Sequence, residues 1–369
     1  MSRVKITMTV WMLAIVCGLL STWRPAVAEE ALAKLDESLF LGQPILADNV
    51  TVWPIYTTKQ VEKVSEYQTL TSAQAKTLAE VSEVGAQTAN ADGVQARGGA
   101  QVNQVVIANT SDKPILVLAG TLVKGGQQDR LIAQDFIIPP GKTIPVDAFC
   151  VEHGRWTDNR EGKNTGGKFA AQEVQAVQKV RDSGQMLKSQ GDVWANVATA
   201  NAVAGKAPSS GTLMATMETD SKEDLERRAK LCQAITEGLA ALAKGEQAPI
   251  GFAYAIDGKV RAARVFNHPA IFQHYCKQLV NTVSVEGDLA QRHARADKKE
   301  IYKDTADVKQ VVEMVQNAES LKKEQTDTNA GNFNEYRKSP KFNAAKAYEK
   351  DADGKPAATP ATQYWTRDE

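Results

Sequence analysis

From about residue 45 to residue 157 the apolar residues come in short runs closed by turn residues, the pattern of β-strands. Asn49–Tyr56 reads as a first strand and Thr71–Leu78 as a short helix. Val102–Ala108, Arg130–Ile138 and Ile144–Glu152 read as further strands. Turn chemistry separates them at Asn109–Pro114 and at Pro139-Pro140-Gly141. The run Ile115–Ala119 is apolar without a break, which predicts burial of both its faces. Short strands joined by tight turns predict an antiparallel sandwich or half-barrel.

From about 168 to 245 the period becomes helical. Val174, Val177 and Val180 recur at helical spacing, and so do Val193, Trp194, Val197 and Ala200. The clearest helix runs from Ser221 to Lys244. Ser221 is its N-cap, Gly245 its stop, and Leu225, Ala229, Cys232, Ile235, Leu239 and Leu242 form one stripe. Asp257-Gly258 then joins two apolar runs, Ile250–Ile256 and Val260–Phe266, as a two-residue hairpin turn. Pro269 opens a helix over His268–Val283, with Phe272, Tyr275, Cys276, Leu279 and Val283 on its buried side. After Gly287 large apolar residues thin out, and residues 288–369 carry 15 basic and 15 acidic side chains. A solvated helix is expected over Asp304–Lys323, followed by a largely unfolded tail from Thr326.

The fold class expected is α+β. A strand-rich antiparallel N-terminal half packs with a helical middle, a β-hairpin and a C-terminal helix, and a charged, partly disordered tail follows. Three segments result: 1–28, 29–287 and 288–369. The first has the signature of a cleaved export signal. Arg3 and Lys5 precede an apolar run from Met8 to Leu20, and Ala26-Val27-Ala28 offers a small-x-small cleavage site. The run falls short of the ~20 residues of a membrane span, so no transmembrane segment is expected after cleavage. Cys17 as a lipid-modified residue is the weaker alternative, because Val16 stands where a small residue belongs. The expected location is periplasmic or extracellular.

The 369-residue chain has 43% hydrophobic and 24% charged residues, ordinary for a globular protein, and a net charge of zero. No basic field exists to hold a polyanion, so nucleic acid is not an expected partner. Phosphate-loop, dinucleotide-loop, nucleophile-elbow and HExxH zinc motifs are all lacking. Cys150 with His153 and His274 with Cys276 are too sparse a ligand set to predict a metal. No cofactor is implied.

Two polar clusters carry the candidate chemistry. In the first, Gly120 to Arg130, Gly126 lets backbone approach a ligand, Gln127, Gln128 and Asp129 supply polar groups, and Arg130 can grip an anion. In the second, Cys150 to Trp156, Glu152 is a candidate general acid or base assisted by His153. Arg155 can hold a phosphate or carboxylate, and Trp156 can stack on a ring. The plain alternative is internal ion pairing of Glu152 with Arg130 or Arg155 beneath a packed Trp156.

Together these clusters resemble the signature of the ADP-ribosylglycohydrolase- and rhodanese-phosphatase-superfamily-associated protein domain, ARPP. The matching stretches are Gly120 to Arg130, Val146 to Trp156 and Gln190-Gly191-Asp192-Val193-Trp194, within about residues 45–285. Gln127 departs from the family's frequent lysine. The resemblance implies a nucleotide-like or ADP-ribose-like ligand and no established activity. An export signal argues against such metabolites, so the ligand class expected is a small anionic or sugar- or nucleotide-like molecule at the two clusters. A hydrolase using Glu152 is one alternative. A cell-envelope interaction protein that engages a protein partner through its tail is the other.

Overall fold

The computed structural model of the chain describes residues 32–59, 65–85, 103–219, 221–242, 248–328 and 331–368. The expected export signal lies outside the described residues.

Six strands close into a barrel: Ala79–Glu83, Gln104–Asn109, Thr121–Gly125, Arg130–Ile132, Thr143–Cys150 and Lys168–Gln175. Thr143–Cys150 closes it by pairing Gln104–Asn109 along its first half and Arg130–Ile132 along its second. Val146, Ala148 and Cys150 on this strand are buried while Pro145 and Asp147 are exposed, the period-2 alternation of a strand with one face inward. Val81, Ile107, Val123, Ile132 and Phe169 meet them inside, so side chains fill the barrel.

The second layer is a ten-stranded antiparallel sheet. At its centre run Val50–Thr57, Gly251–Ile256, Lys259–Phe266, Thr362–Arg367 and Phe342–Glu349. Phe252 and Tyr254 face helices Lys222–Leu242 and Pro269–Ala296 on one side. Ala253 and Ala255 alternate with them and face the other side, where Trp53, Trp365 and helix Lys309–Ser320 take the space that small side chains leave. Both faces are therefore covered, which is why these strands read as nearly continuous apolar runs. The structure is α+β with an antiparallel, strand-rich N-terminal half.

Several boundaries differ from the sequence reading. Arg130–Ile138 is two strands, Arg130–Ile132 and Phe136–Ile138. The second leaves the barrel to pair with Ile115–Val117. Its departure puts the Asp135 carboxylate under the Ala119 N–H and beside Arg264. Lys168–Gln175, read as the start of the helical middle, is a barrel strand. The helix opened by Pro269 continues through Gly287 to Ala296, because Gly287 packs flat against Val50 and Leu231. The expected unfolded tail is instead strands Glu324–Asp327, Asn332–Lys338, Phe342–Glu349 and Thr362–Arg367. The last of these lies between Lys259–Phe266 and Phe342–Glu349, so it is internal to the sheet.

That strand also fastens helix Gln178–Gln185, which follows the barrel strand Lys168–Gln175, to the sheet. The Tyr364 and Thr366 hydroxyls donate to Asp182 at 3.0 and 2.8 Å, and the Arg181 guanidinium donates to the Tyr364 oxygen. Burial pushes the Asp182 carboxyl up to about 6, against the opposing pull of Arg181, Thr366 and Tyr364. A carboxyl raised above its unfolded value of about 3.9 keeps its proton longer in the folded state. Its contribution to stability is therefore present at low pH and lost as pH rises through about 6. Asp182→Asn, uncharged throughout, should gain on the wild type between about pH 4 and pH 7 in urea unfolding. A stability difference that stays constant over that window would contradict the assignment.

Candidate functional site

The two polar clusters meet at one end of the barrel. Register pairs Cys150 with Arg130, so the strand that ends in Glu152 lies beside the strand that begins at Arg130. Beyond this pair both chains curl over the barrel mouth, and their side chains bond to one another.

Glu152 is 2% exposed and Asp129 0%. The Glu152 carboxylate accepts the Asp129 N–H at 2.9 Å and Arg155 Nε and Nη2 at 3.0 and 2.8 Å. Arg155 gives its remaining donors to the carbonyls of Gly125, Gly126 and Thr157 at 2.7–2.9 Å. Asp129 accepts from the Gly125 N–H, from the Thr212 hydroxyl and from Arg160, and stands 3.6 Å from Arg155. Gly126 makes this curl possible. Its φ is +47°, and a Cβ there would fall 2.1 Å from the Phe169 ring.

Arg130 points inward. Its Nη2 lies 3.6 Å from Glu83, and its Nη1 donates to the Cys150 sulfur at 2.6 Å. Glu83 also accepts the Gln127 N–H. Burial pushes the Cys150 thiol up despite the adjacent guanidinium. Among the described residues Cys150, Cys232 and Cys276 form no disulfide.

The third motif segment completes the assembly. Gln190 holds both backbone groups of Cys150, accepting its N–H at 2.9 Å and donating to its carbonyl at 2.8 Å. Trp194 meets the exposed His153 ring edge-on, with centroids 4.4 Å apart. His153 and Gly154 donate their N–H groups to the Ser210 carbonyl, and Gln128 donates to the His153 carbonyl. Trp156 also turns outward. It is 51% exposed, with the Arg130 guanidinium 5.8 Å beneath its ring centroid.

All nine candidate residues thus come together, but in two roles. Gly126, Gln128, Asp129, Arg130, Glu152 and Arg155 bond inward to protein. Gln127 is half-buried, and His153 and Trp156 reach solvent. Sequence reasoning missed Glu83, Arg160 and Thr212, which complete the ion pairing. Arg160 sits in the two-residue strand Asn159–Arg160 and Thr212 in a loop, and neither position carries a local signal. Among the described residues no three His, Cys, Asp or Glu side chains form a group able to hold a metal. No described helix is long and apolar enough to cross a membrane.

Fold and site define an α+β protein in which a filled barrel, fastened at its mouth by a buried lattice of ion pairs, docks on an open antiparallel sheet. The chain belongs to the family described as the ARG and Rhodanese-Phosphatase-superfamily-associated Protein domain, whose model matches residues 38–353. That match runs well past the limit near residue 285 expected from the motifs, in keeping with the C-terminal strands being part of the sheet. No curated protein and no solved structure matches the chain.

Proposed function

We propose that the chain is an exported, non-catalytic recognition domain that takes a sugar-like ring on Trp156. The observation carrying this reading is the contrast between Trp156 and its neighbours. A large aromatic side chain is half exposed on a segment whose next residue back, Arg155, is held by a carboxylate and three carbonyls. An indole carried next to an anchored residue offers a flat apolar face, the geometry that ring stacking uses.

The same lattice speaks against the other ligand classes. Arg130, Arg155 and Arg160 each face a carboxylate already, so none of the three is an unmatched cation for an anionic ligand. Glu152 is buried against a guanidinium, a poor setting for proton transfer to a substrate. Export rests on the charged, apolar and small-residue pattern of residues 3–28.

Calorimetry of the full chain with a panel of soluble oligosaccharides tests the reading. At least one sugar is expected to bind, and Trp156→Ala should weaken it tenfold or more, about 1.4 kcal/mol. Stability should change by no more than about 0.5 kcal/mol, since the indole is at the surface. A variant that binds as the wild type does, or a panel with no binder, would overturn it.

A further inference from the structure

A hollow of about 200 Å³ opens on the ten-stranded sheet, between the bend that precedes strand Leu39–Leu41 and the loop that leads into strand Thr362–Arg367. It is far larger than one water needs and has room for a small molecule. Buried Ile250 and Phe266 give it apolar surface. The carboxylate of Asp36, the ammonium of Lys59 and the amides of Asn267 and Gln363 also line it.

Asp36 is fixed by its own turn. Its Oδ1 accepts the Ser38 N–H at 2.6 Å, the Ser38 hydroxyl at 3.0 Å and the Leu39 N–H at 2.8 Å. Its Oδ2 takes no hydrogen bond, and the carboxylate makes no ion pair among the described residues. Strand register sets Lys59 nearby. Leu39 pairs with Thr57, and the Thr58 N–H donates to the Ser38 carbonyl at 3.0 Å. The Lys59 N–H bonds to the Thr57 hydroxyl at 3.1 Å, and its ammonium likewise makes no ion pair among the described residues. A fixed acid and a base thus share one rim without pairing. Two other wall groups are already engaged: Lys346 donates to Glu319 at 2.9 Å and the Tyr348 hydroxyl to Glu335 at 3.1 Å. The Asn267 side-chain oxygen is buried with no hydrogen-bond partner among the described residues.

We propose that this hollow binds a free α-amino acid with a short uncharged side chain. Such a molecule carries an ammonium and a carboxylate on one carbon, so neighbouring protein charges of opposite sign answer both. The ammonium donates to Asp36 Oδ2 and the carboxylate accepts from Lys59, two charge-assisted hydrogen bonds, each about twice as strong as a neutral one. The side chain then lies over Ile250 and Phe266, with the Asn267 and Gln363 amides at hand for a polar group. A charged side chain would rest on that apolar surface without a counter-charge, because Lys346 already serves Glu319. A simple anion meets the Asp36 carboxylate, and a neutral sugar answers neither charge. The site is independent of whatever Trp156 binds.

The test is calorimetry of the full chain with glycine, alanine, serine, asparagine and glutamine as free amino acids, and with the N-acetyl and carboxamide forms of each. At least one free amino acid is expected to bind. Its two capped forms, each lacking one charge, should bind at least tenfold more weakly. Lys59→Gln alters an exposed side chain, so Tm should stay at the wild-type value while binding weakens tenfold or more. Asp36→Asn keeps an oxygen for Ser38 and Leu39 and should weaken binding likewise; if it fails to fold, Lys59→Gln decides alone. Trp156→Ala should bind the amino acid as the wild type does. A panel with no binder overturns the proposal, and so do capped forms that bind as well as the free amino acid. Wild-type affinity in Lys59→Gln overturns it too. Loss of amino-acid binding in Trp156→Ala would place the ligand at the barrel mouth and overturn it as well.

Discussion

A chain ending at Lys323 is expected to show no cooperative unfolding transition and to collect in the insoluble fraction. The cut removes Asn332–Lys338, Phe342–Glu349 and Thr362–Arg367, and the last of these bonds to strands on both sides. Its loss exposes the hydrogen-bonding edge of Lys259–Phe266, a strand that is otherwise internal. Tyr364 and Trp365 point to opposite faces, and both are fully buried. Trp365 packs with Trp53, Ala263 and Met314 and donates its indole N–H to Glu319 at 2.7 Å. Losing a buried aromatic costs about 3–5 kcal/mol. Two such losses already approach the whole stability of a typical domain, about 5–15 kcal/mol. Arg181 and Asp182 would lose their shared partner as well. Near-UV circular dichroism and a thermal melt check the outcome. A shortened chain melting cooperatively at the wild-type temperature would show that the sheet closes without these strands.

The contrast between the hairpin and the C-terminal strands shows what a sequence makes legible. Gly251–Ile256 and Lys259–Phe266 were readable because their signal is local. Apolar runs flank Asp257-Gly258, and both of these residues have positive φ, 50° and 75°, as a primed turn requires. Apart from Tyr336, Tyr364 and Trp365, the strands after residue 324 bury small or polar side chains. Ala344, Ala345 and Ala347 add little hydropathy, yet they fill their places under larger neighbours. Asn332 and Asn334 are buried because the backbone of Ile137 and Asp135 and the side chain of Gln134 meet their amides. A composition reading scores such residues as solvated. Their burial is set by partners almost two hundred residues away.

The barrel mouth divides in the same way. The two clusters are adjacent because Arg130–Ile132 pairs with Ala148–Cys150, while Phe136–Ile138, next to the Pro139-Pro140-Gly141 turn, pairs elsewhere. Whether the clustered charges face a ligand or each other depended on Glu83, Arg160 and Thr212, none of them in a motif. Arg160 and Thr212 neutralise and orient Asp129, and Glu83 faces Arg130. Without Arg160 and Thr212, Asp129 would keep only the Gly125 N–H and Arg155 at 3.6 Å. With them the end is a closed electrostatic unit, with His153 and Trp156 outward.

Glu152→Gln tests that division directly and is expected to lower stability by about 3–5 kcal/mol, the cost of removing one partner from a buried ion pair. The substitution keeps the shape and removes the charge. A glutamine oxygen can replace only one carboxylate oxygen. The Asp129 N–H and Arg155 Nε and Nη2 all converge on Oε2, so a glutamine oxygen placed there leaves its NH2 against Arg155 Nε, which stands 3.1 Å from Oε1; turned the other way, it sets NH2 against all three donors. Donor faces donor in either case. Arg155 would keep a single carboxylate, Asp129 at 3.6 Å, which already serves Arg160. The companion Arg155→Met should be similarly costly because it strands Glu152. The double variant should recover part of the sum, since neither charge is then left alone. Urea unfolding of the four proteins gives the coupling energy. Sugar binding at Trp156 should weaken in both single variants only as far as the segment loosens, and should return in part with the double variant. Stability within about 0.5 kcal/mol of the wild type, with binding or turnover abolished, would mean that Glu152 meets the ligand itself. The lattice would then be the resting state of a site that opens, and Glu152 would serve as its acid or base rather than as the anchor of Arg155.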